Sequence, residues 1–399
     1  MKKVFFFLFF LLQFSFGLIE LEKGEFDKLL LKFLENKASP LELKVLKAYF
    51  QNLGVEVEEY LVYYARGLML ERQRKLEEAL NSYLQSIKLK PDYNPSYYRI
   101  NFLLREVRNP EPFRKQIEEL LKERFKETPP VIIENPDDHY VFLVEKMSQY
   151  LLVFKGKKLE KMYPVTTGKN LGDKLTEGDG RTPEGIYYFT RFIPPQELSE
   201  MYGGLAVALN YPNPYDRLVG KTGGGIWLHG SNEQNRNYLP FSTRGCIVAD
   251  NKALREEIFP KINLNNTLIG IYKVIPNKLK LDDIKGYIFE WKKAWENKDF
   301  DKYISFYSKS FRWEGGGLRE WINYKRRTIL TKKYIKVDIS QLTILAYRDE
   351  LKEEPTYYVV EFLQEYKSDT YSDKGIKRMY VIKEDGKLKI LSEEFKKIE

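Results

Sequence analysis

Two residue types that together support nucleophilic catalysis lie close in this sequence. The chain has 399 residues but only one cysteine and two histidines, and Cys246 follows His229 by 17 positions. A free thiol has a pKa of about 8.5, so a neighbouring imidazole that accepts its proton produces the attacking thiolate. The pairing predicts a cysteine nucleophile with a histidine general base. The alternative is a small buried cysteine without a catalytic role.

The residues beside Cys246 suit acyl chemistry. Gly245 permits a tight bend, so the main-chain N–H groups of Gly245 and Cys246 can point at a developing oxyanion. One cysteine excludes a disulfide within the chain, and one Cys with two His cannot supply a Cys-rich zinc site. We therefore expect neither a metal nor a cofactor. The run Gly223-Gly224-Gly225 lacks the Gly-Lys-Ser/Thr of a phosphate loop and is interpreted as a turn before the strand with His229.

Strands are predicted to position this pair. After a Pro-rich stretch at 128–138, which is interpreted as a linker, β-branched and aromatic runs alternate with turns rich in Gly, Asn and Pro. The middle third of the chain is therefore predicted to be mostly β. Helical patterning resumes at Asp282, and strands follow from Tyr334 onward. The predicted strands of the middle third are 140–146, 150–155, a third run that ends at 165–168, 185–189, 225–229 and 267–272.

The N-terminus has the layout of a secretory signal peptide. Lys2 and Lys3 precede an apolar run at 4–12, and a small-x-small triplet follows at 15–17. The run is too short to span a bilayer comfortably, so residues 1–17 are predicted to be cleaved rather than retained as an anchor. We expect an exported protein of the periplasm or cell envelope, with no stable membrane span and no nucleic-acid partner. The net charge of +9 suits an anionic partner, but interleaved Lys and Glu equally fit a solvated surface.

Residues 18–127 carry a helical period that begins at 26–34. Ser39 to Glu42 fits a capping box, and Gly54 fits a helix stop. The segment that follows resembles a tetratricopeptide repeat (TPR) through its aromatic, small and proline positions, which are Tyr63, Gly67, Ala79, Tyr83 and Pro91. The resemblance implies a module that binds a protein partner or dimerises. The alternative is a helical cap that packs on the next domain.

Residues 139–273 resemble the YkuD family of L,D-transpeptidases. That family carries His-Gly, a short spacer and Ser/Thr-x-Gly-Cys, which His229-Gly230 and Thr243-Arg244-Gly245-Cys246 match. The segments 178–185 and 208–213 match two further family segments. The resemblance implies that Cys246 is the nucleophile and His229 the base, with Gly245 as an oxyanion donor. Arg244, Gly230 and Thr243 are candidate substrate contacts.

The chain departs from the family at two positions. Arg244 stands where most members have His, and Val248 stands where they have Arg. An Arg at the second position would be expected to hold a carboxylate of the substrate. That role passes to Arg244 in one interpretation, whereas in the other Arg244 is only a solvent-exposed surface residue.

The resemblance implies that the substrate is a peptidoglycan stem peptide. Cys246 would attack the carbonyl that joins an L-centre to a D-centre, at the third residue, and release terminal D-Ala. An amine acceptor then gives cross-linking or exchange, which is transpeptidation. Water gives trimming of tetrapeptide to tripeptide stems, which is L,D-carboxypeptidase activity. The competing class is a non-catalytic scaffold that binds the cell wall.

Residues 282–399 resemble nuclear transport factor 2-like (NTF2-like) domains through the aromatic helices at 288–307. The resemblance implies a cone-shaped curved sheet that holds a small ligand or serves for docking and packing. Trp291, Trp295, Tyr303 and Phe306 are expected to be core residues first and pocket residues second. The predicted fold is multidomain α+β, with an α-helical TPR-like part, a mostly-β catalytic domain and an α+β cone. This arrangement resembles the cell-shape L,D-carboxypeptidases of curved and helical bacteria.

Overall fold

The computed structural model describes residues 58–349 and 352–398. The predicted signal peptide, the capping box at Ser39 and the stop at Gly54 lie outside the described residues. The chain divides into two compact units, Met1–Arg124 and Phe125–Glu399. None of the described helices is long and apolar enough to cross a membrane.

The described part of the first unit is helical, as predicted. Gly67 lies against the ring of Tyr83, and a Cβ at position 67 would be 2.3 Å from Cε1 of that ring. The glycine therefore lets the first two helices pack closely, while Leu80 and Ile100 are fully buried. The tetratricopeptide-like assignment stays a prediction. The helices are α1 (Glu59–Arg72), α2 (Leu76–Leu89), α3 (Asn94–Leu103) and α4 (Glu111–Arg124).

The second unit contains two β-sheets. The strands are β1 (Ile132–Glu134), β2 (Tyr140–Glu145), β3 (Tyr150–Lys155), β4 (Lys158–Pro164), β5 (Gly185–Ile193), β6 (Ala206–Leu209), β7 (Trp227–His229), β8 (Ile247–Val248), β9 (Leu268–Tyr272), β10 (Tyr307–Trp313), β11 (Gly316–Gly317), β12 (Ile335–Tyr347), β13 (Tyr357–Ser368), β14 (Ser372–Glu384) and β15 (Lys387–Lys397). The first sheet has the strand order β4-β3-β2-β9-β5-β6-β7-β8, and the second sheet has the order β1-β12-β13-β14-β15-β10-β11.

The first sheet confirms the predicted mostly-β middle third. Its buried residues include Phe142, Tyr187, Phe189 and Ile269, which pack into one core cluster. Short helices connect the strands, and they are α5 (Pro214–Leu218) and α6 (Asn251–Ala253). Helix α5 begins at a capping box, in which the Asn213 side chain accepts from the N–H of Asp216 and the Asp216 side chain accepts from the N–H of Asn213.

The second sheet curves around three helices, as the NTF2-like resemblance implies. Helix α7 begins where the Asp283 side chain accepts from the N–H of Gly286. Trp291 and Tyr303 are fully buried in the core cluster of this part together with Phe362. The helices are α7 (Ile284–Glu296), α8 (Phe300–Ser305) and α9 (Leu318–Ile329).

The Pro-rich stretch at 128–138 is more than a linker. Its residues 132–134 form β1, which pairs antiparallel with β12 of the cone sheet. The Asn135 side chain then donates to the carbonyl of Gly156 at 2.8 Å and accepts from Thr343 Oγ1 at 3.1 Å. Turn-forming residues mark the stretch in the sequence, but three residues are too few for the alternation that identifies a strand.

Two buried contacts join the first sheet to the second. Tyr357 Oη accepts from the main-chain N–H of Ile186 at 2.7 Å and from Asn213 Nδ2 at 3.1 Å. The Arg378 guanidinium lies 3.7 Å from the centroid of the Tyr188 ring and pairs with buried Glu361. The N–H of Ile186 is therefore satisfied by a hydroxyl from the other part.

Candidate active site

Cys246 and His229 meet through the pairing of two short strands. β7 and β8 are parallel, with Leu228 opposite Ile247 and His229 opposite Val248. Side chains alternate along a strand, so Cys246, two residues before Val248, points to the same face as His229. Leu228 and Ile247 point to the other face, into the core. The register therefore gives the predicted nucleophile and base neighbouring positions on one face of the β7–β8 pair.

The His229 ring is held in one tautomer. Its Nδ1 lies 2.6 Å from the carbonyl oxygen of Gly230. A carbonyl oxygen only accepts, so Nδ1 carries the proton and Nε2 has the free lone pair that a base requires. Burial lowers the pKa of His229 to about 4, opposed by the Gly230 hydrogen bond and reinforced by the positive charge of Arg236. The imidazole is therefore neutral at neutral pH.

An aromatic ring supports His229 from the side. Tyr202 contacts the imidazole edge-to-face, with ring centroids 4.8 Å apart, and also contacts Trp227 with centroids 5.2 Å apart. Tyr202 belongs to a loop whose Leu205 carbonyl accepts the N–H of Gly230 at 2.9 Å. The loop thus fixes both the ring of His229 and the residue that orients it.

The thiol of Cys246 is partly accessible and protonated at rest. Its Sγ donates to the carbonyl of Gly225 at 3.4 Å. Burial raises the pKa of Cys246, opposed by a hydrogen bond from the Trp227 backbone and by the charge of Lys174. Gly223 and Gly225 have φ of 89° and 66° in an irregular segment that leads into β7, so the predicted glycine-rich entry to the strand is present without a regular turn. With both groups neutral, the pair must transfer a proton before or during attack.

Gly245 is required by the shape of the loop before Cys246. Its φ is 136°, and a Cβ there would lie 2.8 Å from the carbonyl oxygen of Arg181. Its N–H donates to Thr243 Oγ1 at 3.1 Å, and the same hydroxyl donates to the Cys246 carbonyl at 2.7 Å. The N–H predicted to bind an oxyanion is therefore engaged, and such a role for Gly245 would require this bond to break.

The three candidate substrate contacts differ in accessibility. Arg244 is exposed, and the described part of the chain offers its side chain no hydrogen-bond or ion-pair partner. Thr243 is 6% exposed with its hydroxyl engaged twice, and the Gly230 N–H and carbonyl are both engaged within the protein. Thr243 and Gly230 hold the shape of the site through these bonds, and their role as substrate contacts stays a prediction. Val248, which stands where most family members have Arg, is buried and apolar, so this position offers no cation to a substrate carboxylate.

A buried polar frame lies beside the loop that carries Cys246. Lys146 Nζ donates to the carbonyl of Thr182 at 2.7 Å and pairs with Glu184 at 2.8 Å. Lys221 pairs with Asp173 at 2.6 Å and with Asp216 at 2.8 Å. Lysine side chains are usually exposed, so neither the composition nor the hydrophobic pattern of the sequence predicts that these two lysines are buried.

The cone carries a second candidate site, which is partly open to solvent. A cavity of about 1030 Å³ is lined by Trp295, Trp321, Lys325, Lys377 and Glu393, among others. Lys325 Nζ lies 4.4 Å and 4.5 Å from the ring centroids of Trp295 and Trp321. Burial lowers the pKa of Lys325 to about 7, opposed by the charge of Glu393. Trp291 is a core residue as predicted, whereas Trp295 both packs in the core and lines the cavity.

Comparisons with known proteins agree with these two parts. Residues 139–276 match the family model of the YkuD L,D-transpeptidase catalytic domain, and residues 283–394 match that of the Cds6 C-terminal NTF2-like domain. No curated protein matches the chain by sequence.

Two solved structures resemble the chain over most of its length. Bd1075 from Bdellovibrio bacteriovorus is 30% identical with a TM-score of 0.57, covering 68% of this chain and 98% of that one. The helical cell shape determining protein Pgp2 from Campylobacter jejuni is 28% identical with a TM-score of 0.51, covering 70% of this chain and 100% of that one.

Proposed function

Because the chain belongs to the YkuD family of L,D-transpeptidases, we propose that it transfers acyl groups of peptidoglycan stem peptides through a thioester on Cys246. The observation that carries this proposal is the register of β7 and β8, which puts Cys246 and His229 on one face. The tautomer of His229 supports it, because Nε2 is the nitrogen left free to accept a proton. Gly230 acts here as the residue that orients the base.

Acylation begins with proton transfer from Sγ to Nε2. The thiolate attacks the carbonyl of the third stem residue, and the negative charge develops on the carbonyl oxygen. We assign the main-chain N–H of Cys246 to this oxyanion, since the N–H of Gly245 is engaged with Thr243. The imidazolium then protonates the amine of the leaving D-Ala. A thioester and a neutral imidazole remain, so the protons balance.

The acceptor decides the outcome of the second half-reaction. An incoming amine or water gives its proton to Nε2 and attacks the thioester, and the thiol is regenerated when that proton returns. An amine gives transpeptidation, and water gives L,D-carboxypeptidation. The second outcome is favoured by the similarity to a protein that determines helical cell shape, because trimming removes the tetrapeptide stems available as cross-linking donors.

Substrate anchoring is proposed for Arg244. The guanidinium is exposed, unengaged by the described residues and two positions from the nucleophile. A planar guanidinium can hold a carboxylate through two parallel hydrogen bonds. Stem peptides carry free carboxylates, so Arg244 is the residue of this loop that fits them.

The remaining parts are assigned as follows. We propose export to the periplasm or envelope through residues 1–17, partner binding or dimerisation through residues 18–127, catalysis within 139–273 and a ligand-binding or docking role for 282–399. The cone cavity, with its aromatic walls and buried cations, favours ligand binding over packing alone.

Purified protein incubated with tetrapeptide muropeptides tests the proposal. We expect cross-linked, exchanged or trimmed products from the wild type and none from Cys246→Ala. The ratio of dimer to tripeptide separates transpeptidase from carboxypeptidase activity. Binding of intact sacculi by both proteins without any turnover would instead support the scaffold.

A further inference from the structure

A buried threonine outside the predicted site reaches the peptide bond that precedes the nucleophile. Thr182 is fully buried, and its Oγ1 lies 2.8 Å from the carbonyl oxygen of Gly245. The same Oγ1 accepts from the N–H of Gly168 at 2.8 Å. A carbonyl only accepts and an N–H only donates, so the single hydroxyl proton of Thr182 goes to Gly245.

The hydrogen bond from Thr182 to the Gly245 carbonyl also sets the direction of the Cys246 N–H. The C=O of Gly245 and the N–H of Cys246 belong to one peptide group, which is planar, and in the trans form its C=O and N–H point in opposite directions. Holding the oxygen toward Thr182 therefore directs the Cys246 N–H away from Thr182. A hydrogen bond to the oxygen also polarises the peptide and strengthens its N–H as a donor.

The peptide needs such a restraint because a glycine precedes it. Gly245 has φ of 136°, a conformation that glycine adopts but does not enforce, since glycine ranges widely in φ and ψ. On the other side of Cys246, Thr243 Oγ1 holds the carbonyl of the next peptide at 2.7 Å. Two threonine hydroxyls thus restrain the peptide groups on both sides of the nucleophile.

Thr182 is itself anchored. Lys146 is 2% exposed, and its Nζ donates to the Thr182 carbonyl at 2.7 Å, to the Gly172 carbonyl at 2.6 Å and to Glu184 at 2.8 Å. These bonds satisfy all three donors of the ammonium. The hydroxyl that restrains Gly245 is therefore carried by a residue fixed through its own backbone.

We propose that Thr182 is a positioning residue that orients the main-chain N–H of Cys246 for the oxyanion of the acyl-transfer step. The inference rests on the proposed function. It assigns a role to a side chain that need not touch the substrate and acts through the Gly245–Cys246 peptide.

The test compares Thr182→Val with Thr182→Ser on tetrapeptide muropeptides. Valine matches the shape but removes the hydroxyl, so we expect kcat to fall by at least about tenfold with KM nearly unchanged. Loss of an oxyanion donor itself costs about a hundredfold to a thousandfold, which sets the upper limit. Serine keeps the hydroxyl and should restore most of kcat. Thr343→Val is the matched control, since it removes a buried hydroxyl bonded to Asn135, and we expect it to leave kcat unchanged.

Alkylation of Cys246 by iodoacetamide separates positioning of the oxyanion donor from damage to the thiol. This substitution develops no oxyanion, so Thr182→Val should alkylate at the wild-type rate while its acyl transfer falls. Wild-type kcat in Thr182→Val, an equal fall of both rates, or failure of serine to restore kcat would each overturn the inference. Thr182→Ala replaces the valine variant if that does not fold. An inactive wild type would overturn the proposed function and this inference together, whereas an active wild type beside an unaffected Thr182→Val overturns only the inference.

Discussion

The protonation states of two residues define the chemistry of the site. Burial lowers the pKa of His229 to about 4 and raises that of Cys246, so the resting pair is a neutral imidazole and a thiol. A preformed thiolate–imidazolium pair would need the opposite shifts. This resting state fits the proposed role of His229 as a base during attack.

The pH dependence of kcat/KM follows from this state. Protonation of His229 removes the base, so activity should hold from neutral pH down to about 5 and fall as the pH passes through about 4. The measurement is kcat/KM for tetrapeptide hydrolysis or transfer across this range. A loss of activity centred near pH 6.5, the ordinary value for histidine, would contradict the buried neutral imidazole.

Arg244 should contribute to substrate binding rather than to chemistry. Arg244→Ala is expected to raise KM by about tenfold with kcat little changed, because a charge-assisted hydrogen bond is worth about 1.5–3 kcal/mol. Arg244→Lys should recover part of the loss, since it keeps the charge but loses the planar fork. Arg255→Ala is the control, because Arg255 is another exposed arginine and lies between β8 and β9. An unchanged KM in Arg244→Ala would make Arg244 a surface residue only.

Elements with a clear pattern of apolar residues were predictable from the sequence. The strand predicted at 150–155 has those bounds, and helix α7 begins two residues after the predicted restart at Asp282. β-branched and aromatic runs identify such strands because they are buried on the sheet face. The His229-Gly230 and Cys246 segments also predicted a nucleophile and a base, because both residue types are rare in this chain.

Other elements gave no usable signal. Strand β8 has two residues and β1 has three, so neither shows an alternation. The Thr182 to Gly245 bond joins residues 63 positions apart, and only tertiary structure brings them together. The engagement of the Gly245 N–H likewise depends on a neighbouring hydroxyl whose direction the sequence does not specify.

At the scale of the molecule, the catalytic domain and the cone form one unit. The sequence predicts two domains here, since residue types change at their boundary, and their bounds stay a prediction within the compact unit 125–399. Tyr357 is one contact that joins the two parts, because this one of 29 tyrosines accepts from two donors of the neighbouring domain. Nothing in its local sequence distinguishes it from the others.

Removing this hydroxyl tests the coupling. Tyr357→Phe leaves the Ile186 N–H without its acceptor and removes one of the two acceptors of the Asn213 amide, which should lower the free energy of unfolding by about 1–3 kcal/mol. Urea unfolding measured by fluorescence gives the change. Tyr334→Phe, at an exposed tyrosine of the cone, should be neutral. Equal stability of the two variants would show that the boundary does not depend on this bond.

The central claim is that Cys246 forms a thioester with a stem peptide. Intact-protein mass spectrometry after brief exposure to tetrapeptide muropeptides, quenched in acid, tests it most directly. The account predicts that wild-type protein gains the mass of the substrate minus D-Ala, located on Cys246, and that Cys246→Ala gains nothing. Turnover of the same muropeptides by Cys246→Ala, at the wild-type rate and without any adduct, would contradict it.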